Sequence, residues 1–381
     1  MELFSSAKPK SVVGLDIEAG SIAATEVRSN GSVEVVGQGV MALAPGVFRE
    51  GEVVDANALG AAIKELFADN KLSRNNVRIG VANQRVAVRS MQLPAIDDRD
   101  ELETAVRFQA QDHIPMPLDQ AILDWQVVGH TQGENGERRV EVVAVAARRD
   151  MVQQVMTALS VSGVRPIGID HSAFGMIRAL ARETGSTVGA AQYVNAPSYE
   201  QRIDSPDEGT GGTVEAHIPA RLYCNLGDVT NLAVARGSSC LFTRIASFGV
   251  EGIAQRLAER RQLTLEHARQ WLGYVGLEQP LESLEGEQEN IVSARECLAE
   301  GLAKLADELR LSLEYYGAQE GAVAVEGVVA CGPGAMIPGL VERLQRTIGQ
   351  QFTIAKPALL GHLDEGSAAR LTLSYGLALE D

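Results

Sequence analysis

The sequence predicts a mixed α/β protein of two to three domains, and three observations carry that reading. Strand-like apolar runs ending in small-residue turns alternate with segments of helical periodicity along most of the chain. The length of 381 residues exceeds what one core usually organises, taking ~150 residues per domain as the guide. Hydrophobic residues make up 45% and charged ones 22%, a balance at which a packed core forms and a disordered chain is excluded.

The first strand-turn-strand unit is Val12 to Ile17, a turn Glu18 to Ser21, and Ile22 to Val27. Asn30-Gly31, a strong hairpin signal, pairs Ser32 to Val36 with what precedes it. Asp55 then caps a helix whose Leu59, Ile63, Leu66 and Phe67 recur at helical spacing, and Val77 to Val88 returns to strand. Asp97-Asp98 opens a helix to about Asp112, where Pro115 and Pro117 forbid continuation. Trp125 to Val128 and Val140 to Ala146 read as strands, Met151 to Val161 as helix, and Val164 to Ile169 as strand. Residues 184–219, rich in Gly, Ser, Thr, Pro and Asn and without apolar periodicity, read as a flexible insertion. A meander follows over Leu222 to Leu226, Asn231 to Ala235 and Cys240 to Ile245; beyond Gly252 the chain is helical, with Thr264 an N-cap. The longest helix runs from Ser293 to about Tyr316, its stripe Leu298, Leu302, Leu305, Leu309 and Tyr316 facing a core. A strand, Ala322 to Ala330, a glycine-rich turn and a helix from about Pro338 complete the pattern.

Composition excludes several functions. The formal charge of −16 lacks the basic footprint that nucleic acid requires, and it disfavours direct adhesion to anionic lipid. The longest apolar stretches fall far below the roughly 18 residues of a membrane span, and Met1 to Phe4 has neither the basic start nor the apolar run of a secretory signal. Cys224, Cys240, Cys297 and Cys331 stand far apart, and the six histidines form no HExxH cluster, so the expected compartment is the reducing cytoplasm and no transition-metal site is expected.

Three turns share one design, a buried strand ending in a small-residue bend with free backbone N–H groups. They are Ala19-Gly20-Ser21 after Asp16, Gly227-Asp228-Val229-Thr230 after Asn225, and Gly332 to Met336 after Ala330. Small residues let main chain approach phosphate oxygens, and free N–H groups form an anion-binding concavity. Each turn taken singly reads as an ordinary hairpin; their order and spacing resemble the actin-like ATPase superfamily.

The likeness is closer still to the type IV pilus assembly protein PilM family. It rests on Val13-Gly14-Leu15-Asp16-Ile17, on Met91 to Pro94, Glu101 to Gln109, His113 to Asp119 and Leu123 to Gly129, and on Leu241 to Arg244, Glu308 to Tyr316, Gly334 to Leu340 and Tyr375 to Leu379. The resemblance implies an actin-like, ribonuclease H-like, two-lobed fold with a nucleotide cleft. The first lobe would comprise 11–85, completed by 162–183 and 353–381. It would carry an FtsA-like inserted subdomain at 86–161, and the second lobe would be 220–352, helical over about 253–321.

It further implies ATP and Mg2+ in the cleft. Ala19, Gly20 and Ser21 would face the phosphates; Asn225, Gly227, Asp228 and Thr230 would close from the other lobe; and Gly332, Pro333, Gly334 and Met336 would meet the adenosine. Arg310 and Glu314 would lie toward ribose and adenine, or else form an exposed i,i+4 pair. Magnesium would sit near Asp16 through water. Asp170 matches the position that orients attacking water, or caps a helix. The implied partners are the N-terminal peptide of a PilN-like inner-membrane protein and other pilus assembly proteins, with membrane attachment through the partner. Leu93, Ile114 and Met116 lie near where peptide pockets could form, and read equally as core.

Departures from the family pattern point away from hydrolysis. Glu18 stands where the family has glycine, Ala23 where it has a lysine-like residue, Asn225 where it has aspartate, and Pro333 interrupts a run of glycines. A carboxylate ~4 Å from a phosphate charge is repelled by about 4 kcal/mol at an effective dielectric of 20. Glu18 either hurts in this way or projects outward with Gly20 serving instead. The expected activity is at best a slow ATPase. The other readings are a small-molecule kinase, which needs intact phosphate loops, and an FtsA-like division protein, which needs a C-terminal amphipathic helix that the sequence is expected to lack.

Overall fold

Ser11–Glu18 (β1) carries apolar residues on both faces, and from Val12 onward it is buried throughout, the signature of a central strand. It turns at Ala19-Gly20 into Ser21–Ser29 (β2), which pairs antiparallel through Asn30-Gly31 with Val33–Ala42 (β3); Gly31 takes φ 77°. Two short strands, Phe48–Arg49 (β4) and Glu52–Val53 (β5), bracket a turn at Glu50-Gly51. In Ala56–Asp69 (α1), Asp55 accepts from the Asn57 and Ala58 N–H groups. Leu59, Ile63, Leu66 and Phe67 are all at most 1% exposed, burial that contributes on the order of 10 kcal/mol. The crossover ends in Val77–Val81 (β6), parallel to β1.

The stretch expected as one strand over Val77 to Val88 is two: Val86–Pro94 (β7) belongs to a separate sheet, and Ala82 to Arg85 connects them. Arg99–His113 (α2), Ala121–Gln132 (β8) and Arg138–Arg148 (β9) follow, with strand order β7-β9-β8. Asp98 caps α2 at 2.9 Å from two N–H groups, and Leu102 and Val106 pack on Met91, Leu93, Val140 and Val142. Both strands β8 and β9 run longer than the apolar reading, because the pairing register continues from Ala121 to Gln132 against Arg148 to Arg138, past the central apolar residues.

Arg149–Ser162 (α3), Pro166–His171 (β10) and Ser172–Ala181 (α4) return the chain to the first sheet, ordered β10-β6-β1-β2-β3. Ala220–Leu226 (β11), Thr230–Arg236 (β12) and Ser239–Ala246 (β13) then form an antiparallel meander. The helices Val250–Arg261 (α5), Leu265–Val275 (α6) and Gln288–Gly317 (α7) lead to Val325–Cys331 (β14), and Leu340–Ile348 (α8) leads to Phe352–Ile354 (β15). The second sheet, β13-β12-β11-β14-β15, repeats the plan of the first: an antiparallel meander flanked by two parallel strands. Glu365–Ala378 (α9) is buried from Ala368 to Ala378; with α4 it packs between the two sheets, where Ala23, Met176, Tyr223, Ala233 and Leu371 share one core.

The computed structural model describes residues 11–133, 136–181, 218–319 and 321–379, so most of the 184–219 insertion lies outside the described residues. Contacts divide it into two units, one of residues 11–84, 154–181 and 219–379, and one of residues 85–153. Among the described residues no helix is long and apolar enough to cross a membrane.

Candidate functional site

The cleft lies within the larger unit, where β1 from the first sheet meets the β11–β12 turn from the second. Asp16, Glu18, Gly51, Asn225 and Asp228 line it together with Ser172 at the start of α4. Asp16 is 3% exposed and receives Nη1 of Arg370 at 2.5 Å. The same guanidinium donates to Ser21 Oγ and to the Ser21 carbonyl, each at 2.9 Å. Glu18 reaches the second sheet: Asn225 Nδ2 donates to its Oε1 at 2.7 Å and the Asp228 N–H to its Oε2 at 2.8 Å. Asp228 in turn accepts from the Gly51 N–H at 3.0 Å and from its neighbour Val229 at 2.9 Å, and Asn83 holds the Gly51 carbonyl at 2.9 Å. Arg269 pairs with Glu251 and donates to the Ala19 carbonyl at 3.3 Å.

The fold thus brings Asp16, the first turn and the second turn together. Thr230 Oγ1 fastens the second turn by donating to the Phe248 carbonyl at 2.7 Å. Pro333 opens a short 3-10 helix ending at Met336, which is 49% exposed, and Gly332 takes φ 82° against Asn225. Arg310 and Glu314 lie exposed on α7; Arg310 donates to the Thr347 carbonyl and pairs with Asp307, so the expected pairing with Glu314 gives way to a partner three residues earlier. Asp170 sits in β10 and pairs with Arg178, and the α4 start is capped by His171, whose Nδ1 accepts from the Ala173 N–H at 3.2 Å. Leu93 and Ile114 are core residues of the smaller unit, and Met116 packs against that core. Sequence reasoning missed Arg370, Arg269 and Gly51. The one available signal was Arg370, a lone charge amid Ala368 to Leu377, otherwise a run of apolar and small residues.

The family model for the type IV pilus assembly protein PilM matches residues 14–192. Residues 14–192 belong to that family. A solved PilM–PilN type IV pilus biogenesis complex contains a chain 22% identical, covering 97% of this chain and 98% of its own, with a TM-score of 0.74. The ethanolamine utilization protein EutJ from Carboxydothermus hydrogenoformans is 12% identical over 98% of this chain and 90% of its own, with a TM-score of 0.51. MreB 5 of Spiroplasma citri, solved bound to AMPPNP, is 12% identical over 97% and 95%, with a TM-score of 0.49. The fold is the actin-like, two-sheeted one of PilM.

The side chains of this cleft do not fit a magnesium nucleotide. Asp16, where the cation would be anchored, is neutralised by a buried guanidinium, and the second turn's Asp228 N–H is taken by the chain's own Glu18. Among the described residues no group of three or more His, Cys, Asp or Glu is placed to hold a metal ion.

Burial pushes the Asp16 carboxyl up to about 6 although Arg370 opposes the rise, and it pushes Glu18 up to about 8, with the Asp228 charge adding to the effect. Asp228 is raised by burial as well. Glu18 therefore holds more protons in the folded state than in the unfolded chain from about pH 4.5 to about 8, and its contribution to stability falls as pH rises through that window. His171, which burial lowers to about 4, opposes the fall below about pH 6.5. Thermal unfolding between pH 5 and 8.5 is expected to show a falling midpoint. Glu18→Gln, which removes the titration and keeps the shape, is expected to flatten the upper half of that fall; an equally steep fall in the variant would refute the assignment.

Proposed function

We propose that this protein is a cytoplasmic scaffold of type IV pilus assembly that docks the N-terminal peptide of a PilN-like inner-membrane protein. The observation that carries the reading is the PilM family match over residues 14–192, in a chain whose fold parallels that of a PilM–PilN complex along 97% of its length. Charge supports it. Cytoplasmic tails of membrane proteins are enriched in Lys and Arg, and a chain of formal charge −16 attracts such a tail while repelling the anionic lipid beside it. Attachment to the membrane is then indirect, through the partner. The ATP and Mg2+ that the resemblance implies are no part of this reading, because the cleft side chains do not fit them.

The test is a calorimetric titration of the full chain with a synthetic peptide of the cytoplasmic N-terminus of the neighbouring single-span membrane protein. Saturable binding of roughly micromolar affinity is expected, weakening several-fold as salt rises from about 0.05 to 0.5 M. A scrambled peptide of equal charge is expected to bind much more weakly, and equal binding of both peptides, or of neither, would sink the proposal.

A further inference from the structure

The three turns that resemble a nucleotide cradle are filled from within. A Cβ at Gly227 would lie 2.2 Å from Glu18 Oε2, one at Gly332 would lie 2.1 Å from Asn225 Oδ1, and one at Gly20 would lie 3.0 Å from the Arg269 guanidinium carbon. Glycine in a phosphate loop lets an oxygen come close to main chain. Here the atoms that come close belong to the protein itself. The polar groups are engaged in the same way: the Asp228 N–H by Glu18, the Ser21 hydroxyl and carbonyl by Arg370, and the Ala19 carbonyl by Arg269. Asp16, Glu18, Asn225, Asp228 and Arg370 are each at most 8% exposed, so these contacts exclude water.

We infer that these side chains take the place of a nucleoside triphosphate and its divalent cation: Glu18 bridges the two turns where phosphoryl oxygens would sit, Arg370 holds Asp16 where the cation would, and together they form a standing latch between the two sheets. A triphosphate entering this cleft would face Glu18, Asp228 and Asp16, while both nearby cations, Arg370 and Arg269, are already paired with carboxylates. To bind, it would have to break buried charge-assisted bonds and leave Asp16 without its partner. The consequence is a cleft whose closure does not follow nucleotide concentration. This conclusion is independent of the peptide-docking proposal, and either can fail without the other.

The experiment uses the full chain, with a fluorescent ATP analogue plus Mg2+ for binding and hydrogen exchange of the peptide over residues 225–231 for the latch. Wild type is expected to show no saturable binding up to about 1 mM, and slow exchange of that peptide with or without Mg-ATP. Glu18→Gly, which removes the bridging carboxyl, is expected to accelerate the exchange at least tenfold, with pyrophosphate slowing it again. Should that variant not fold, Glu18→Gln keeps one of the two accepted bonds and carries the same comparison with a smaller acceleration. Saturable binding of Mg-ATP by wild type, or exchange that neither substitution accelerates, overturns the inference.

Discussion

Arg370→Ala is expected to lower the unfolding free energy by about 3–5 kcal/mol, because it leaves a buried carboxylate without its partner. Asp16 lies in the central strand of the first sheet at 3% exposure, and Arg370 is its ion-pair partner. The same substitution frees the Ser21 hydroxyl and carbonyl, two further bonds that tie α9 to the first turn. Urea unfolding followed by circular dichroism measures the loss. The double variant Asp16→Leu with Arg370→Met is expected to recover much of it, since exchanging both members of a buried pair for apolar groups removes the uncompensated charge. A cost below about 1 kcal/mol for the single variant would mean that water or another group replaces the guanidinium, and the pair would lose its structural role.

Gly376→Ala is expected to destabilise by about 3 kcal/mol or more, at the high end of overpacking costs. A Cβ at Gly376 would lie 1.8 Å from the Gly175 carbonyl oxygen, and one at Gly14 would lie 1.9 Å from the Ser374 carbonyl oxygen. Both obstacles are backbone atoms, so no side chain can swing aside. Helices α4 and α9 meet at the first of these points and α9 rests on β1 at the second, so the strain falls on the layer that joins the two sheets. Gly168→Ala is the control: that position has no positive φ and open space around it, and its expected effect stays within about 0.5 kcal/mol. Comparable losses at the two positions would show that the α4–α9 contact can relax.

Much of the fold was legible because its signals are local. Asn30-Gly31, the caps Asp55, Asp98 and Thr264, and the stripe of Leu298, Leu305, Leu309 and Tyr316 each act within a few residues, and each appears where periodicity and capping place it. The division of Val77 to Val88 into two strands was not legible: both halves are apolar and β-branched, and which sheet a strand joins depends on partners elsewhere in the chain. Asp170 and Arg310 show the same limit at the level of single side chains, since their partners Arg178 and the Thr347 carbonyl lie eight and 37 residues away.

By itself the sequence determined the order of strands and helices, the three glycine turns, the acidic surface charge and the family of residues 14–192. These follow from short-range rules of spacing, capping and composition. Only the tertiary structure decided what fills the cleft. Glu18 meets Asn225 and Asp228 across 207 and 210 residues, and Asp16 meets Arg370 across 354. A carboxyl next to a glycine turn reads as a defect when its surroundings are unknown; burial makes it seek a partner, and the folded chain supplies one from the opposite sheet.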